Sequence, residues 1–348
     1  MAIGTRLDER LFQDAVTDAD RGVASVVTSI AKAAIGIGEI VALGRLGGDL
    51  GNGCGRTNSD GDVQHVLDVM ANDRLVDALR NAPVAVLASE ELEDVVVLDP
   101  EAPLAVAIDP LDGSSNISTN VSIGTIFSIV WAHPQGVTRP VEAFLQTGST
   151  QLAAGFVVYG PQTALVLSLG RGVQVFILDR TIGAFRLALD EVFVPVSAQE
   201  FAINISNQRY WAEPIRSYVN DCLQGAEGPR GKDFNMRWIA SLVAEAYRIL
   251  MRGGVFLYPA DQRKNYQNGR LRLVYEANPI AFLMEQAGGA ATDCVERILD
   301  IRPASLHQRT PLVFGSAEKV ARIRRYHREP CGPSELSPLF GRRGLLRA

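Results

Sequence analysis

The 348-residue chain is poor in cysteine, and none of its four is spaced for a metal ribbon. Cys54, Cys222, Cys294 and Cys331 form no CxxC pair, which argues against a zinc site or a disulfide framework and reads as reduced, mostly structural thiols. Positive charge is not in surplus either. Thirty-four Lys and Arg stand against 39 Asp and Glu, and a formal net charge of -5 argues against nucleic acid as the main partner. An anionic ligand has to be attracted locally. No long apolar run is free of charge: the most apolar region, 23–47, is interrupted by Lys32, Glu39 and Arg45, so it does not cross a bilayer cheaply. No secretory leader, internal repeat or low-complexity tract is recognisable. The expectation is a cytoplasmic protein with no membrane partner.

With 47% hydrophobic and 21% charged residues, the chain can bury a large core, enough for two intimately packed domains. The stretch most pregnant with chemistry is 104–116, LAVAIDPLDGSSN. Its apolar start predicts a strand buried on both faces, opening at Pro110 onto a turn that displays Asp109 and Asp112. Two such carboxylates about 4 Å apart repel by roughly 4 kcal/mol at an effective dielectric of about 20, so their convergence calls for a cation or a proton. A hard divalent ion, Mg2+ or Mn2+, suits an all-oxygen donor set. The GSS that follows offers backbone N–H groups and hydroxyls to an anion, the more so if a helix starts there. An Asp-rich turn in which Asp112 or Ser114 merely caps a helix is the plainer alternative.

Taken in order, the chain is helix-like to about residue 47, then breaks at a Gly-rich stretch, GGDLGNGCGRTNSDGD, that reads as a surface loop. Residues 63–80 carry Val66, Met70, Leu75 and Leu79 near helical spacing, with Asp62 at the start and Asp68 inside; either acid alone reads as a cap or a dipole partner. A short apolar strand at 84–87 ends in Ser89, Glu90 and Glu91, placing two more acids just past a strand end. The run continuing through Glu93 and Asp94 also fits a solvated acidic loop. Between 144 and 195, apolar runs separated by GPQ, GRG and DRTIG predict an antiparallel meander, with a domain boundary near 195. Residues 236–252 predict a helix ending at Gly253-Gly254, with Arg237 in its first turn, where an anionic ligand would offset the helix dipole. The segments VFLYPA and RLRLVYE read as strands flanking a polar loop. Asn278-Pro279 starts a further helix, which leaves Glu276 between a strand end and a helix start.

DPLDGSSN followed by ISTNVSIGTIFSI closely resembles the motif of class I fructose-1,6-bisphosphatases, within the metal-dependent, lithium-sensitive sugar phosphatases. Further matching segments at 61–91, 207–210, 236–242, 254–293 and 307–316 extend the resemblance over most of the chain. It implies an α+β fold, a layered α/β/α/β/α sandwich of two domains, 1–195 binding metal and 196–328 binding sugar phosphate, followed by a poorly ordered tail at 329–348. It also implies two or more ions, Mg2+ or Mn2+, held by Glu90, Asp109, the Leu111 carbonyl, Asp112 and Glu276, with Asp62 approaching a further ion. Asp68 and Glu91 correspond to the acids that activate water. Gly113, Ser114 and Ser115 correspond to the holders of the scissile phosphate. Asn207, Tyr210, Tyr258 and, from a neighbouring subunit, Arg237 correspond to the contacts of the second phosphate, and Arg270 stands at a substrate-binding position that contacts the sugar. The implied protein is a homotetrameric fructose-1,6-bisphosphate 1-phosphatase of gluconeogenesis or the Calvin cycle.

Three departures lie beside the sugar. Trp238 replaces a phosphate-binding tyrosine, Arg270 a sugar-contacting lysine and Leu242 a methionine. They leave sedoheptulose 1,7-bisphosphate open as an alternative or additional substrate. A non-catalytic sugar-phosphate sensor would be expected to lack a metal ligand or base, and none is missing. Pro103, Leu104 and Trp131 stand where AMP-sensitive members carry Lys, Tyr and Arg, so weak or absent AMP inhibition is expected.

Overall fold

The computed structural model describes residues 3–48, 51, 53–57, 63–132 and 139–329. Asp62 and the tail from residue 330, both singled out in the sequence, lie outside them, as do the side chains of Cys54 and Cys331. Cys222 and Cys294 are free and buried.

Five layers stack along one direction. The first holds α1 (Leu7–Asp14), α2 (Asp18–Leu43) and α3 (Val66–Leu79), with a small antiparallel pair, β1 (Gly53–Thr57) and β2 (Val63–His65), beside them. Thr17 starts α2 with a reciprocal cap, its hydroxyl accepting from the Asp20 N–H while the Asp20 carboxylate accepts from the Thr17 N–H. By length and composition alone, 18–47 could cross a membrane. Its buried residues Val23, Val26, Val27, Ile30, Ala34 and Ile37 instead form a stripe at helical spacing, packed into the core shared with α3 and the first sheet.

The second layer is an eight-stranded sheet made of β3 (Val84–Ser89), β4 (Val96–Val97), β5 (Leu104–Asp112), β6 (Ile123–Trp131), β7 (Ala153–Tyr159), β8 (Thr163–Ser168), β9 (Gln174–Asp179) and β10 (Ala184–Leu189). Its order is β10-β9-β8-β7-β6-β5-β3-β4, and every neighbouring pair is antiparallel except β3 with β5. β3, β5, β7 and β8 are buried at every position, as continuous apolar runs require when both faces are covered. The expected meander from 153 to 189 is there; Phe144 lies before it, in a 3₁₀ turn.

The second sheet combines β11 (Glu200–Ala202), β12 (Asn235–Met236), β13 (Val255–Tyr258), β15 (Ala290–Thr292) and β17 (Leu312–Gly315) in the order β12-β11-β13-β17-β15, while β14 (Leu271–Arg272) and β16 (Arg309–Thr310) pair separately. Between the two sheets lie α5 (Leu242–Arg252) and α6 (Asn278–Gln286); outside the second sheet lie α4 (Glu213–Leu223) and α7 (Ala317–Arg328). The alternation is the α/β/α/β/α layering expected from the resemblance.

Three local expectations need correction. The strand β5 does not stop at Pro110 but runs on to Asp112 through an irregular register against β6. A bulge is where a strand tolerates proline, because no ladder N–H is required, and the Pro110 carbonyl accepts the Thr125 hydroxyl at 2.9 Å instead. The helix expected from 236 begins only at Leu242. Asn235 and Met236 pair with β11, Ala240 takes a left-handed φ of +61°, and Ser241 caps the helix. Arg237 therefore lies before the helix, not in its first turn. Finally, RLRLVYE is a strand only over Leu271–Arg272; Leu273–Ala277 forms a π turn leading straight into α6, so Glu276 sits within a helical turn.

Candidate active site

The parallel pairing of β3 with β5 puts their acidic ends side by side. The Glu90 N–H donates to the Ile108 carbonyl at 3.0 Å, one residue before Asp109. Within the bulge, the Leu111 N–H donates to Asp109 Oδ1 at 3.0 Å, leaving the Leu111 backbone between the two aspartates. The π turn then brings in Glu276, whose carboxylate accepts the Arg272 N–H. One oxygen each from Asp109, Asp112 and Glu276 lies within 4.8 Å of the others, and all three residues are buried.

Burial shapes the protonation of this cluster. Asp109 is pushed well above the ordinary carboxylate range by loss of water and then by Glu90, Asp112 and Glu276; Glu276 is raised by burial and then by Glu90 and Asp112. Glu90 rises to about 7, chiefly by burial, against the pull of Arg272. Asp112 rises to about 6 by burial, tempered by the N–H groups of Val243 and Leu242. Carboxylates packed this closely ionise together only around a cation, and an all-oxygen, buried donor set fits a hard divalent ion.

Asp68 lies in the first turn of α3 and is buried. Its Oδ2 accepts the His65 N–H at 2.7 Å, while Oδ1 has no hydrogen-bond partner. Burial, with a smaller push from Glu91, raises it to about 7. A buried link ties α3 to β3 nearby: the Ser89 hydroxyl donates to Asn72 Oδ1 at 2.7 Å and accepts the Glu91 N–H at 3.3 Å. The glutamate expected beside Asp68 is thus fixed from behind by Asn72 and Ser89.

The GSS turn differs from expectation. Gly113 adopts a left-handed φ of +80°, and Ser114–Thr119 form a short 3₁₀ turn rather than an α-helix. The helix aimed at the site is α5: its Val243 N–H donates to Asp112 Oδ2 at 3.0 Å, and Asn116 Nδ2 donates to the Ala240 carbonyl at 2.8 Å, tying the turn to the helix start. A helix N-terminus beside Gly113 adds the positive partial charge that the local sequence was expected to supply. At Gly124 on β6, a Cβ would fall 2.2 Å from the Val157 carbonyl and 2.7 Å from Val243, so only glycine lets α5 approach this closely.

Asn207, Trp238, Tyr258 and Arg270 line one pocket together with Asp261 and Arg263; Tyr210 stacks on Arg263. Trp238 lies parallel to Phe256 at 5.8 Å, with Tyr258 tilted beside it. Arg237 is not in this pocket. Its backbone N–H pairs with the Phe201 carbonyl, its side chain is 51% exposed, and its Nε faces Glu200 at 3.7 Å. A separate cavity of about 640 Å³ is lined by Glu90, Arg272 and Glu276 together with Tyr258, Tyr266 and Arg270. Arg272 was missed in the sequence. It is 2% exposed and faces Glu90 at 3.4 Å, and the available signal was a cation inside an otherwise apolar run ahead of Glu276.

Comparison with known proteins agrees with this architecture. Residues 12–190 match the family described as fructose-1-6-bisphosphatase, N-terminal domain, and residues 194–328 match its C-terminal domain. A fructose-1,6-bisphosphatase class 1 from Rhizobium meliloti is 60% identical over 331 residues, 95% of each chain; one from Rhodopseudomonas palustris is 55% identical over 97% of each. The crystal structure of Leishmania major fructose-1,6-bisphosphatase in holo form superposes with a TM-score of 0.88 at 31% identity, covering 94% of this chain and all of that one. With both domain families matched in order and relatives aligned over nearly the full length, this chain belongs to the class I fructose-1,6-bisphosphatases.

Proposed function

We propose that this chain hydrolyses the 1-phosphate of fructose 1,6-bisphosphate, giving fructose 6-phosphate and inorganic phosphate. The observation that carries the reading is a cavity lined both by Glu90 and Glu276 of the acidic group and by Tyr258 and Arg270, which suits a ligand with phosphate at both ends. Glu90, Asp109, the Leu111 carbonyl, Asp112 and Glu276 would hold divalent cations, two or more per subunit and Mg2+ or Mn2+ by donor type, with Asp62 as a further ligand. Bound divalent cations acidify water and offset charge on phosphoryl oxygens. Asp68 and Glu91 take the proton from the attacking water. A carboxyl held near 7 is well matched to that task at neutral pH. Gly113, Ser114 and Ser115 cradle the reacting phosphate beside the start of α5.

Asn207, Tyr210, Tyr258 and Arg270 bind the second phosphate. Arg237, turned away from its own pocket and half exposed, serves a neighbouring subunit, which makes the working assembly an oligomer, a homotetramer by family resemblance. The division near residue 195 separates the metal-binding from the sugar-phosphate-binding domain. The setting is cytoplasmic carbohydrate metabolism, in gluconeogenesis or carbon fixation.

The test is phosphate release from fructose 1,6-bisphosphate, sedoheptulose 1,7-bisphosphate and inositol 1-phosphate in parallel. The highest kcat/KM is expected for the first and the lowest for the third. A clear preference for sedoheptulose 1,7-bisphosphate would reassign the substrate to a pocket reshaped by Trp238, Leu242 and Arg270; equal rates with inositol 1-phosphate would remove the second-phosphate site.

A further inference from the structure

The loop 261–270 carries a column of alternating cations and rings. The Arg209 guanidinium carbon lies 4.8 Å from the centre of the Tyr210 ring. Arg263 lies 4.9 Å from the same ring and 4.3 Å from that of Tyr266, and Arg270 lies 4.8 Å from Tyr266. Arg263 thus bridges two tyrosines, and Tyr266 bridges two arginines. Arg263 is already committed: its Nε sits 3.0 Å from both oxygens of the buried Asp261, and its Nη2 also donates to that carboxylate. A guanidinium neutralised in this way is a flat plate between rings rather than a phosphate donor.

The backbone fixes the column at both ends. Gln262 N–H donates to the Tyr210 carbonyl, and the Tyr266 carbonyl accepts from both Asp261 and Gly269. Gly269 takes a φ of +81° with its Cα against Thr310, where a Cβ would fall 2.2 Å from the Thr310 carbonyl carbon, so the loop has no room to slide past β16. Tyr210 and Arg270 are therefore held at a set separation through Arg263 and Tyr266, which line the same pocket as Arg270 but carry no phosphate-binding role in the proposed function.

We infer that Tyr266, acting with Arg263, is a positioning residue that fixes Tyr210 relative to Arg270 and so sets the geometry of the second-phosphate site. The inference rests on the proposed function, in which Tyr210 and Arg270 bind the second phosphate. The face of the Tyr266 ring does the work, and its hydroxyl does not.

Three variants test this by steady-state kinetics. Tyr266→Leu removes the ring and is expected to raise KM for fructose 1,6-bisphosphate about tenfold with kcat within about twofold, the pattern of lost uniform binding. Inhibition by fructose 6-phosphate should weaken by the same factor, and inhibition by inorganic phosphate at the reacting end should not change. Tyr266→Phe keeps the ring and should behave as the parent. Arg263→Gln removes the bridging cation, carries the same expectation as Tyr266→Leu, and replaces it if that variant does not fold. An unchanged KM in Tyr266→Leu, or a Phe variant as impaired as the Leu variant, overturns the inference. Arg270→Ala separates the two levels. If Arg270→Ala leaves KM unchanged, the second-phosphate assignment itself fails; if it raises KM while Tyr266→Leu does not, only the positioning role falls.

Discussion

Replacing Asp112 by asparagine is expected to lower turnover of fructose 1,6-bisphosphate by about a thousandfold or more, because several kcal/mol of charge stabilisation leave the reacting phosphate. The fold should survive the change. An asparagine oxygen still accepts the Val243 N–H that Asp112 Oδ2 holds at 3.0 Å, so the start of α5 keeps its place beside Gly113. Stability of the metal-free protein should not fall, since burial already pushes the Asp112 carboxyl up to about 6 and the neutral amide carries no such burial cost. The sign follows directly: a carboxyl raised above its unfolded value favours the folded state below the unfolded pKa, and that advantage is lost as pH rises through about 6. Calorimetric unfolding without metal, paired with a metal titration, therefore separates the effects. The expected result is an unchanged or higher melting temperature and strongly weakened metal binding. Near-normal turnover would remove Asp112 from the metal site.

Asp68→Asn should cost about 10²–10⁴ in kcat, the usual range for losing a positioned general base. Metal affinity should be nearly unchanged, which distinguishes the base from the ligands. In the parent, the Asp68 carboxyl is held up to about 7 by burial, so the base becomes ionised, and kcat/KM rises, as pH increases toward that value. Bound divalent cations nearby favour the ionised form and move this acid limb below pH 7. Asp68→Asn should lose the limb along with the rate. A loss smaller than tenfold would pass the role to Glu91, which Ser89 and Asn72 hold in place from β3 and α3.

Much of this site was legible because its residues are local signals at element ends. Asp109 and Asp112 close an apolar strand, Glu90 and Glu91 follow another, and Asn278-Pro279 marks the start of α6, so their positions follow from strand and helix grammar. The five-layer arrangement followed from the family resemblance more than from periodicity. What periodicity misjudged was decided by contacts distant in sequence. Ile239 falls in register with Leu242, Val243 and Ala246, yet 235–236 is claimed by β11, and the helix waits for Ser241; the Glu245 side chain reaches back to the Ile239 N–H at 2.7 Å and fixes the irregular approach. Likewise, β-branched and aromatic residues in 271–276 suggested a strand, but Glu276 accepts the Arg272 N–H and the chain winds into a π turn. Arg272 was invisible for the same reason: only the fold shows that a buried cation stands behind Glu90.

In the proposed function the buried cluster of Asp109, Asp112 and Glu276, with Glu90 beside it, is the metal centre of a bisphosphate 1-phosphatase. The most direct measurement is phosphate release from fructose 1,6-bisphosphate with Mg2+, after EDTA, and after restoring Mg2+ in excess. Activity is expected to disappear with the chelator and return with the metal, with fructose 6-phosphate as the sugar product. Release that persists undiminished in EDTA, or no release with Mg2+ or Mn2+, would contradict it.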